Sequence, residues 1–421
     1  MKRLNWIDVA KGICILAVII GHMGNTNVNK IVFPFHLTVF FILSGYTLKE
    51  NNLDKEYLSN KFKRLMIPYF ITCFFIALMD IFNIIVVNHN YTIYSISNII
   101  KKDLIRTFFA SGSISNFGEI NLNGRIGAIW FLPAMFFSLI ISKMIIQKYE
   151  KYFIRFIVSI AMALVGIVFS KFIWLPFSLQ SAMLACPFII FGKYMKDKNI
   201  IDKINMEQCI IFCIIFILGY KLNKTTIGFV IASMQDLIIT PIVGLASSMI
   251  VIKISKIIEK SRALRYVGKN SLYFLCVHLF LLETSGYYIN KIYTKLNIEP
   301  KYYLSFLIHV IVCLMATVII NLLKKIISNR RKNIYTLDNG RNLTIDVLRT
   351  ICILAMIFGH CHIDLGLRKF IFSFHMTAFI LLSGYLYKDS SDNIIKRLWK
   401  EIKRLIIPTL LFSGYHLYGY L

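Results

Sequence analysis

Apolar runs of roughly twenty residues recur along the chain, each separated from the next by a polar stretch. The hydrocarbon core of a bilayer is about 30 Å thick, so an α-helix of roughly twenty apolar residues crosses it once. Such a segment must satisfy its own backbone hydrogen bonds, which an α-helix does. We therefore predict an all-α transmembrane helical bundle of about ten spans. They are 6–23, 33–49, 67–87, 128–146, 153–172, 176–195, 206–221, 227–253, 271–288 and 302–323.

Composition and charge agree with a polytopic membrane protein and exclude other classes. Hydrophobic residues make up 57% of the chain and charged residues only 16%, more apolar surface than a soluble domain buries. The formal net charge is +27, but the cations lie in loops between apolar runs, which argues against nucleic-acid binding. By the positive-inside rule the N-terminus and the loops with Lys/Arg clusters, near 49–64, 143–155, 193–203, 253–269 and 324–332, face the cytoplasm. The outer loops are sparser in cations but hold Lys101, Lys102, Lys291, Lys295 and Lys301. We expect an integral protein of the plasma membrane, with the lipid bilayer as its partner.

The first predicted span carries three ionisable residues, Asp8, Lys11 and His22. Lys11 and His22 are eleven residues apart, which on an α-helix places them about 16 Å apart and on nearly the same face. Asp8 lies one turn before Lys11, where the two can pair. Ionisable residues inside a membrane are costly and mark functional sites. The alternative is that Lys11 reaches the headgroups and His22 simply ends the helix, but the later recurrence of this pattern favours a functional pair.

A second histidine, His36, follows His22 across a short polar turn. We predict that the two imidazoles approach each other near the outer ends of adjacent spans. Imidazole titrates near neutral pH and is a natural general base for a hydroxyl group. Lys11, Lys63 and Arg64 are expected to hold the phosphates of an anionic donor. For His36, a hydrogen bond that only fixes helix packing is an equal alternative.

Four further residues are candidates for substrate binding: Trp130, His278, Glu119 and Arg125. Glu119 and Arg125 lie in a long non-spanning stretch, 88–127, which also holds a possible amphipathic helix near 99–109; such loops are often functional. Trp130 equally fits an interfacial aromatic belt. His278 lies deep in an apolar run.

Other polar residues in the apolar runs have structural interpretations. Ser44 and Gly45 predict a close helix contact, and His309 has no accompanying motif and is treated as structural. The nine cysteines lie almost entirely within apolar runs and show no metal-ligand spacing. We expect no metal.

The end of the chain repeats its beginning. The segment RNLTIDVLRTICILAMIFGH echoes RLNWIDVAKGICILAVIIGH, and FSFHMTAFILLSGYLYK echoes FPFHLTVFFILSGYTLK. The corresponding residues of the second copy are Asp346, Arg349, His360, His375, Ser383, Gly384 and Arg404. With about ten spans between the copies, both start on the same side of the membrane, as a parallel repeat. We predict a membrane domain at 1–325, a basic cytoplasmic linker at 326–341 and an incomplete second copy at 342–421. Three spans cannot enclose a site built from ten, so this copy is expected to be inert.

Five motifs in order carry a family resemblance. They are the Lys and His eleven residues apart, FHLTVFFILSGY at 35–46, KRLMIP at 63–68, WFLP at 130–133, and GKNSL at 268–272 followed by His278. Together they resemble the acyltransferase-3 family of integral membrane acyltransferases, and most closely its fucose O-acetylase-like subgroup. The resemblance covers residues 3 to about 325.

The resemblance implies that an acyl group, usually acetyl from acetyl-CoA, is transferred to a hydroxyl of an envelope glycan or lipid-linked carbohydrate. It implies that His22 is the catalytic base and that Lys11 and Arg64 bind the donor. The family often has arginine where Lys11 stands, and Lys11 keeps the charge without the planar fork. The alternative is a transporter or exporter of glycan or acyl cargo, since repeats and intramembrane charges are also found there. A receptor or scaffold would predict no effect of changing His22 beyond folding.

Overall fold

The computed structural model describes residues 4–49, 52–86, 92–113, 115–117, 120–122, 126–284, 302–336 and 343–359, with single positions at 371, 372, 377, 378, 380, 381, 399 and 402. The chain forms two compact units, Met1–Leu337 and Asp338–Leu421, which are described separately.

The first unit is almost entirely helical. Its first helices are α1 (Asn5–Gly21), α2 (Thr26–Val32), α3 (Thr38–Tyr46), α4 (Lys55–Lys61), a π-helical turn (Phe62–Met66), α5 (Ile67–Val86) and α6 (Ile93–Phe109). Two short antiparallel strands, β1 (Ser115–Phe117) and β2 (Ile120–Leu122), precede a 3₁₀ turn (Gly127–Trp130) that runs into α7 (Phe131–Lys148).

The remaining helices of this unit complete the list. They are α8 (Tyr152–Phe169), a 3₁₀ turn (Pro176–Ser178), α9 (Leu179–Asp197), α10 (Ile200–Lys203), α11 (Met206–Lys221), α12 (Ile239–Ile257), α13 (Arg262–Lys269), α14 (Ser271–Thr284) and α15 (Tyr302–Thr336). Between α11 and α12 a small hairpin pairs β3 (Ile227–Gly228) with β4 (Ser233–Met234) across a 3₁₀ turn (Phe229–Ile231).

Five helical segments of the described chain are long and apolar enough to cross a membrane: Lys55–Ile85, Gly127–Lys148, Tyr152–Phe169, Ile239–Ile257 and Tyr302–Lys325. Large apolar side chains on α5, α8 and α15 are exposed, as expected of surfaces that face lipid rather than water. The prediction of an all-α membrane protein is confirmed. The number of spans stays a prediction.

Two predicted spans differ from the structure. Residues 33–49 do not form one span, because α3 has nine residues, which rise only about 13 Å. The predicted span 227–253 begins with the β3–β4 hairpin, and helix starts at Ile239. Apolar content alone could not separate these cases, since a buried turn is as apolar as a span.

Glycines set the closest helix contacts. A Cβ on Gly45 of α3 would lie 2.8 Å from the Ile189 carbonyl carbon of α9, and one on Gly192 would lie 2.8 Å from the Ile42 carbonyl carbon. These two glycines face each other's helices, so the backbones approach closely, as small residues permit in membranes. The predicted close contact at Gly45 is confirmed.

The second unit is described mainly through α16 (Leu343–Gly359), on which Arg349 is exposed. His360, His375, Ser383, Gly384 and Arg404 lie outside the described residues. The repeat and the domain division stay predictions.

Candidate active site

His22 lies at the C-terminal end of α1, where it caps the helix and is exposed. Its backbone N–H donates to the carbonyls of Ile19 and Ile20, so the chain keeps helical geometry up to the imidazole. The rest of α1 is largely buried. A buried, continuous helix therefore carries His22 and fixes its distance from Lys11, as the sequence predicts.

His36 lies in the turn between α2 and α3 and is buried. Its Nδ1 lies 3.2 Å from the carbonyl oxygen of Val32 and 3.1 Å from that of Phe33. Carbonyl oxygens only accept, so Nδ1 carries the proton and Nε2 is left as the acceptor. The Phe33 ring packs against the imidazole at 5.0 Å between centroids. The turn thus fixes both the tautomer and the orientation of His36.

Both histidines line one cavity of 370 Å³. Its walls come from α1, the turn that holds His36, the 3₁₀ turn before α7, the β3–β4 hairpin and α14. The other wall residues include Gly112, Ser113, Trp130, Phe131, Thr226, Phe229, Val230 and Leu275. This volume lies within the usual range for sites that bind small molecules. The predicted meeting of His22 and His36 across the polar turn is what the structure shows.

Trp130 forms part of the cavity wall rather than an exposed belt, and it is buried. Its position is tightly determined, because a Cβ on Gly112 would lie 2.7 Å from the indole Nε1. Gly112 follows the end of α6, which is anchored by neighbouring segments. Ser178 Oγ donates to the Ala110 carbonyl at 2.6 Å, and Trp174 Nε1 donates to the Phe109 carbonyl at 3.1 Å.

An ion cluster stabilises α6 on the side of α5. Arg106 forms ion pairs with Asp80 of α5 and, at 2.8 Å, with Asp103 of α6. Burial raises the pKa of Asp103 to about 6, although Arg106 lies beside it. The predicted amphipathic helix near 99–109 is present and begins six residues earlier, at Ile93.

A second group of charged residues lies towards the other end of α1. Lys11, Arg64 and Lys143 lie close enough to Lys61 for their charges to act on it. Tyr57 lies between two of these lysines, with Lys143 Nζ 3.7 Å and Lys61 Nζ 5.5 Å from its ring centroid. Lys11 and Arg64 therefore both lie near Lys61, and their role in binding the donor stays a prediction.

Lys143 of α7 is almost fully buried at 2% exposure, whereas Lys63 and Arg64 are exposed on the π-helical turn. π-Helical turns are rare and frequent at functional sites. We call Lys11, Lys61, Arg64 and Lys143, with Tyr57, the cationic cluster. Because α1 is one unbroken helix, this cluster and the histidine cavity lie roughly 16 Å apart along it.

The comparisons with known proteins identify the family of the chain. A family model described as an acyltransferase domain, of the acyltransferase-3 type, matches residues 4–324 and 342–417, which is most of the chain. The chain belongs to the acyltransferase-3 family. No curated protein and no solved structure matches it. This acyltransferase is therefore a membrane protein that acts on acyl groups.

Three other residues are predicted to bind substrate: His278, Glu119 and Arg125. His278 is fully buried and does not line the cavity; its ring packs behind His22, with 5.6 Å between centroids. It therefore makes no direct contact with a molecule in the cavity. Glu119 and Arg125 lie outside the described residues and stay predictions.

Several site residues of this acyltransferase were not predicted from the sequence. The cavity wall at 226–230 overlaps the start of a predicted span, although Gly228, Gln235 and Asp236 interrupt the apolar run. Lys143 stands alone in an apolar segment, and no local pattern connects it to Tyr57. The sequence predicts only a structural role for His309, whereas its ring lies 5.3 Å from that of His278.

Proposed function

We propose that this protein is an O-acyltransferase that moves an acyl group, acetyl in the simplest case, from acyl-CoA to a hydroxyl of a carbohydrate. The observation that carries the proposal is the arrangement on α1: His22 meets His36 on one cavity, and the cationic cluster surrounds Lys11 about 16 Å away. One rigid helix thus carries a candidate base at one end and candidate phosphate ligands at the other.

The chemistry at the cavity end is general base catalysis. An imidazole nitrogen takes the proton of the acceptor hydroxyl while its oxygen attacks the thioester carbonyl carbon. The carbon–sulfur bond then breaks, and the imidazolium returns the proton to the departing thiolate. His22 is the proposed base. The fixed tautomer of His36 supports a second role, since its Nε2 can accept a hydrogen bond from the acceptor hydroxyl and orient it.

The chemistry at the other end is recognition of a polyanion. Acyl-CoA carries several phosphates at one end and its thioester at the other, so an extended donor matches a cationic cluster separated from a base. Exposed Arg64 and Lys63 suit first contact with the phosphates, and Arg64 offers two parallel donors. Lys143 and Lys61 add charge next to Tyr57, where the reduced polarity strengthens it.

The acceptor is proposed to be a sugar of an envelope glycan or a lipid-linked carbohydrate. The cavity volume of 370 Å³ suits a single sugar unit. The buried Trp130 offers it an aromatic wall, and Thr226 and Ser113 also line the cavity. With the N-terminus in the cytoplasm of a plasma-membrane protein, the cationic cluster faces the cellular acyl-CoA and the cavity faces the envelope side. The second copy is proposed to be inert.

The test is acyl transfer in membranes that contain the full chain, supplied with radiolabelled acetyl-CoA. Wild type is compared with His22→Ala and His36→Asn at equal amounts of folded protein. We expect label in a carbohydrate fraction for wild type and none above background for His22→Ala. His36→Asn keeps a donor near the Val32 and Phe33 carbonyls but has no Nε2, so we expect normal folding and a slower reaction.

The outcomes separate the alternatives. Label that persists in His22→Ala would overturn the role of His22 as the base. Absence of transfer from acetyl-CoA and from longer acyl-CoAs in wild type, with uptake or export of glycan instead, would identify the transporter alternative.

A further inference from the structure

His278 is an unusual residue for the centre of an apolar helix pair. It has no exposed surface, and neither ring nitrogen has a hydrogen-bond partner among the described residues. Its ring lies between two other imidazoles, with centroids 5.6 Å from His22 and 5.3 Å from His309. Three histidines from α1, α14 and α15 therefore form a row that starts at the cavity.

The imidazole of His309, at the far end of the row, has a fixed orientation. His309 Nδ1 lies 2.7 Å from the Ser305 carbonyl oxygen, one turn earlier on α15. Because that oxygen only accepts, Nδ1 carries the proton and Nε2 is the acceptor, and this buried Nε2 also lacks a partner in the described structure. An acceptor nitrogen is thus fixed at the far end, and His22 lies at the cavity end.

A polar seam continues beyond the row between α14 and α15. It occurs at every fourth position of α15, which places it on one face: His309, Cys313, Thr317 and Asn321. Cys313 Sγ donates to the Phe274 carbonyl at 3.7 Å, Thr317 Oγ1 is buried without a partner among the described residues, and Asn321 donates to Asn270 at 3.2 Å. The seam extends about 18 Å.

Unpaired buried polar groups are costly, and native proteins satisfy nearly all of them. A packing role alone would favour leucine at 278, which fills similar space without that cost. A shared metal ion is not supported, because no group of three or more His, Cys, Asp or Glu residues in the described chain is arranged to hold one. Exchange of protons between neighbouring imidazoles would use both ring nitrogens of His278, which a purely structural role does not need.

We propose that His278 and His309 form a proton relay with His22, bridged by water, which assists the base of the acyl-transfer site. The proposal rests on the proposed function. The proton of the acceptor hydroxyl binds one nitrogen of His22, a proton leaves its other nitrogen for His278, and His278 passes one to Nε2 of His309. The reverse movement returns a proton to the thiolate, so the reaction is balanced. Both residues act through His22 and are positioning residues.

The first experiment compares His278→Leu and His309→Leu with Phe274→Leu, a control one turn from His278 on the same buried helix. We expect kcat to fall roughly 10- to 100-fold in both histidine variants, with KM for donor and acceptor within about twofold. The double variant should be no slower than the slower single variant, because the residues act as a unit. The control should keep its kcat. Full activity of folded His278→Leu would overturn the relay.

The second experiment does not depend on activity. Deuterium exchange at the imidazole C2 position is followed by mass spectrometry in the full-length protein, since this exchange requires proton access to the ring nitrogens. We expect His278 to exchange on the timescale of His22, despite its zero exposure, and to slow in His309→Leu. No exchange at His278 while His22 exchanges would overturn the relay. Exchange at His278 in a wild-type protein that shows no acyl transfer would reject the proposed function alone.

Discussion

Gly268 of α13 is the position where one added methyl group should disturb the site most. A Cβ there would lie 2.6 Å from the Asp8 carbonyl carbon and 2.9 Å from the Gly12 backbone nitrogen, both on α1. These are backbone atoms, so no side chain can rotate away. Gly268→Ala must therefore push apart α13 and α1, the helix that carries both Lys11 and His22.

The expected magnitude follows from these distances. Ordinary contact begins near 3.4 Å, so restoring it to the Asp8 carbonyl carbon requires a displacement of at least 0.8 Å. Overpacking of this kind costs about 1–3 kcal/mol. Alanine gains about 1 kcal/mol over glycine in helix propensity, which offsets only part of it. A misplacement of about 1 Å in a reacting group can slow catalysis roughly 100-fold, so activity should fall much more than stability.

Two measurements on purified protein in detergent test this: the melting temperature and the rate of acyl transfer per folded molecule. We expect a modestly lower melting temperature and roughly 100-fold slower transfer. The matched control is Gly219→Ala in α11, where a Cβ would lie 2.9 Å from Cγ1 of Val243. Adding Val243→Ala to Gly219→Ala should restore stability, because the atoms that the new methyl group meets belong to the Val243 side chain. A Gly268→Ala protein that melts higher than wild type and keeps full activity would refute the packing argument.

Three further predictions concern the cationic cluster, the α6 ion pairs and the cavity wall. Lys143→Met should raise KM for acyl-CoA several-fold with a smaller change in kcat, as donor titration would show; an unchanged KM would remove Lys143 from the donor site. Because burial raises the pKa of Asp103 to about 6, above its ordinary 3.8, its stabilising contribution is complete below about pH 4 and is lost as pH rises through 6. Asp103→Asn should therefore melt with a flatter pH profile between about pH 4 and 7 than wild type, and an identical profile would contradict the shift. Gly112→Ala, whose Cβ would lie 2.7 Å from Trp130 Nε1, should displace the indole and raise KM for the acceptor more than for the donor; equal effects on both would contradict a role of this wall in acceptor binding.

The features that follow from local periodicity were predicted from the sequence. The apolar run of α1 and the spacing of Lys11 and His22 together define a helix with two functional ends, and the structure has that helix unbroken. The short turn before His36 limits how far that residue can lie from His22, so their common cavity also follows from sequence distance. Gly45 predicted a close helix contact for the same local reason.

The features that depend on tertiary packing were not predictable. Lys143 lies 86 residues from Tyr57 along the chain, and only the packing of α7 brings its ammonium group over that ring. The sequence does not predict the β3–β4 hairpin, because a cavity wall buried in protein is as apolar as a membrane span. His309 gave no signal, because a lone histidine in an apolar run has the same local pattern whether it is structural or part of a row.

Because α1 is rigid, it fixes the distance between the two ends of the site and therefore the length of donor that fits both. Gly268 of α13 holds the end near Lys11, and at the other end a Cβ on Gly21 would lie 2.7 Å from the Phe33 ring, so the turn before His36 packs directly on the helix. Neither α13 nor the turn before His36 can slide along α1 without breaking a close contact. The spacing between the phosphate ligands and the base is therefore fixed by the helix itself. A donor whose phosphate-to-thioester reach is shorter, such as an acyl group on a truncated thiol, should lose kcat rather than only affinity, because binding energy at the cationic cluster then cannot position the thioester beside His22.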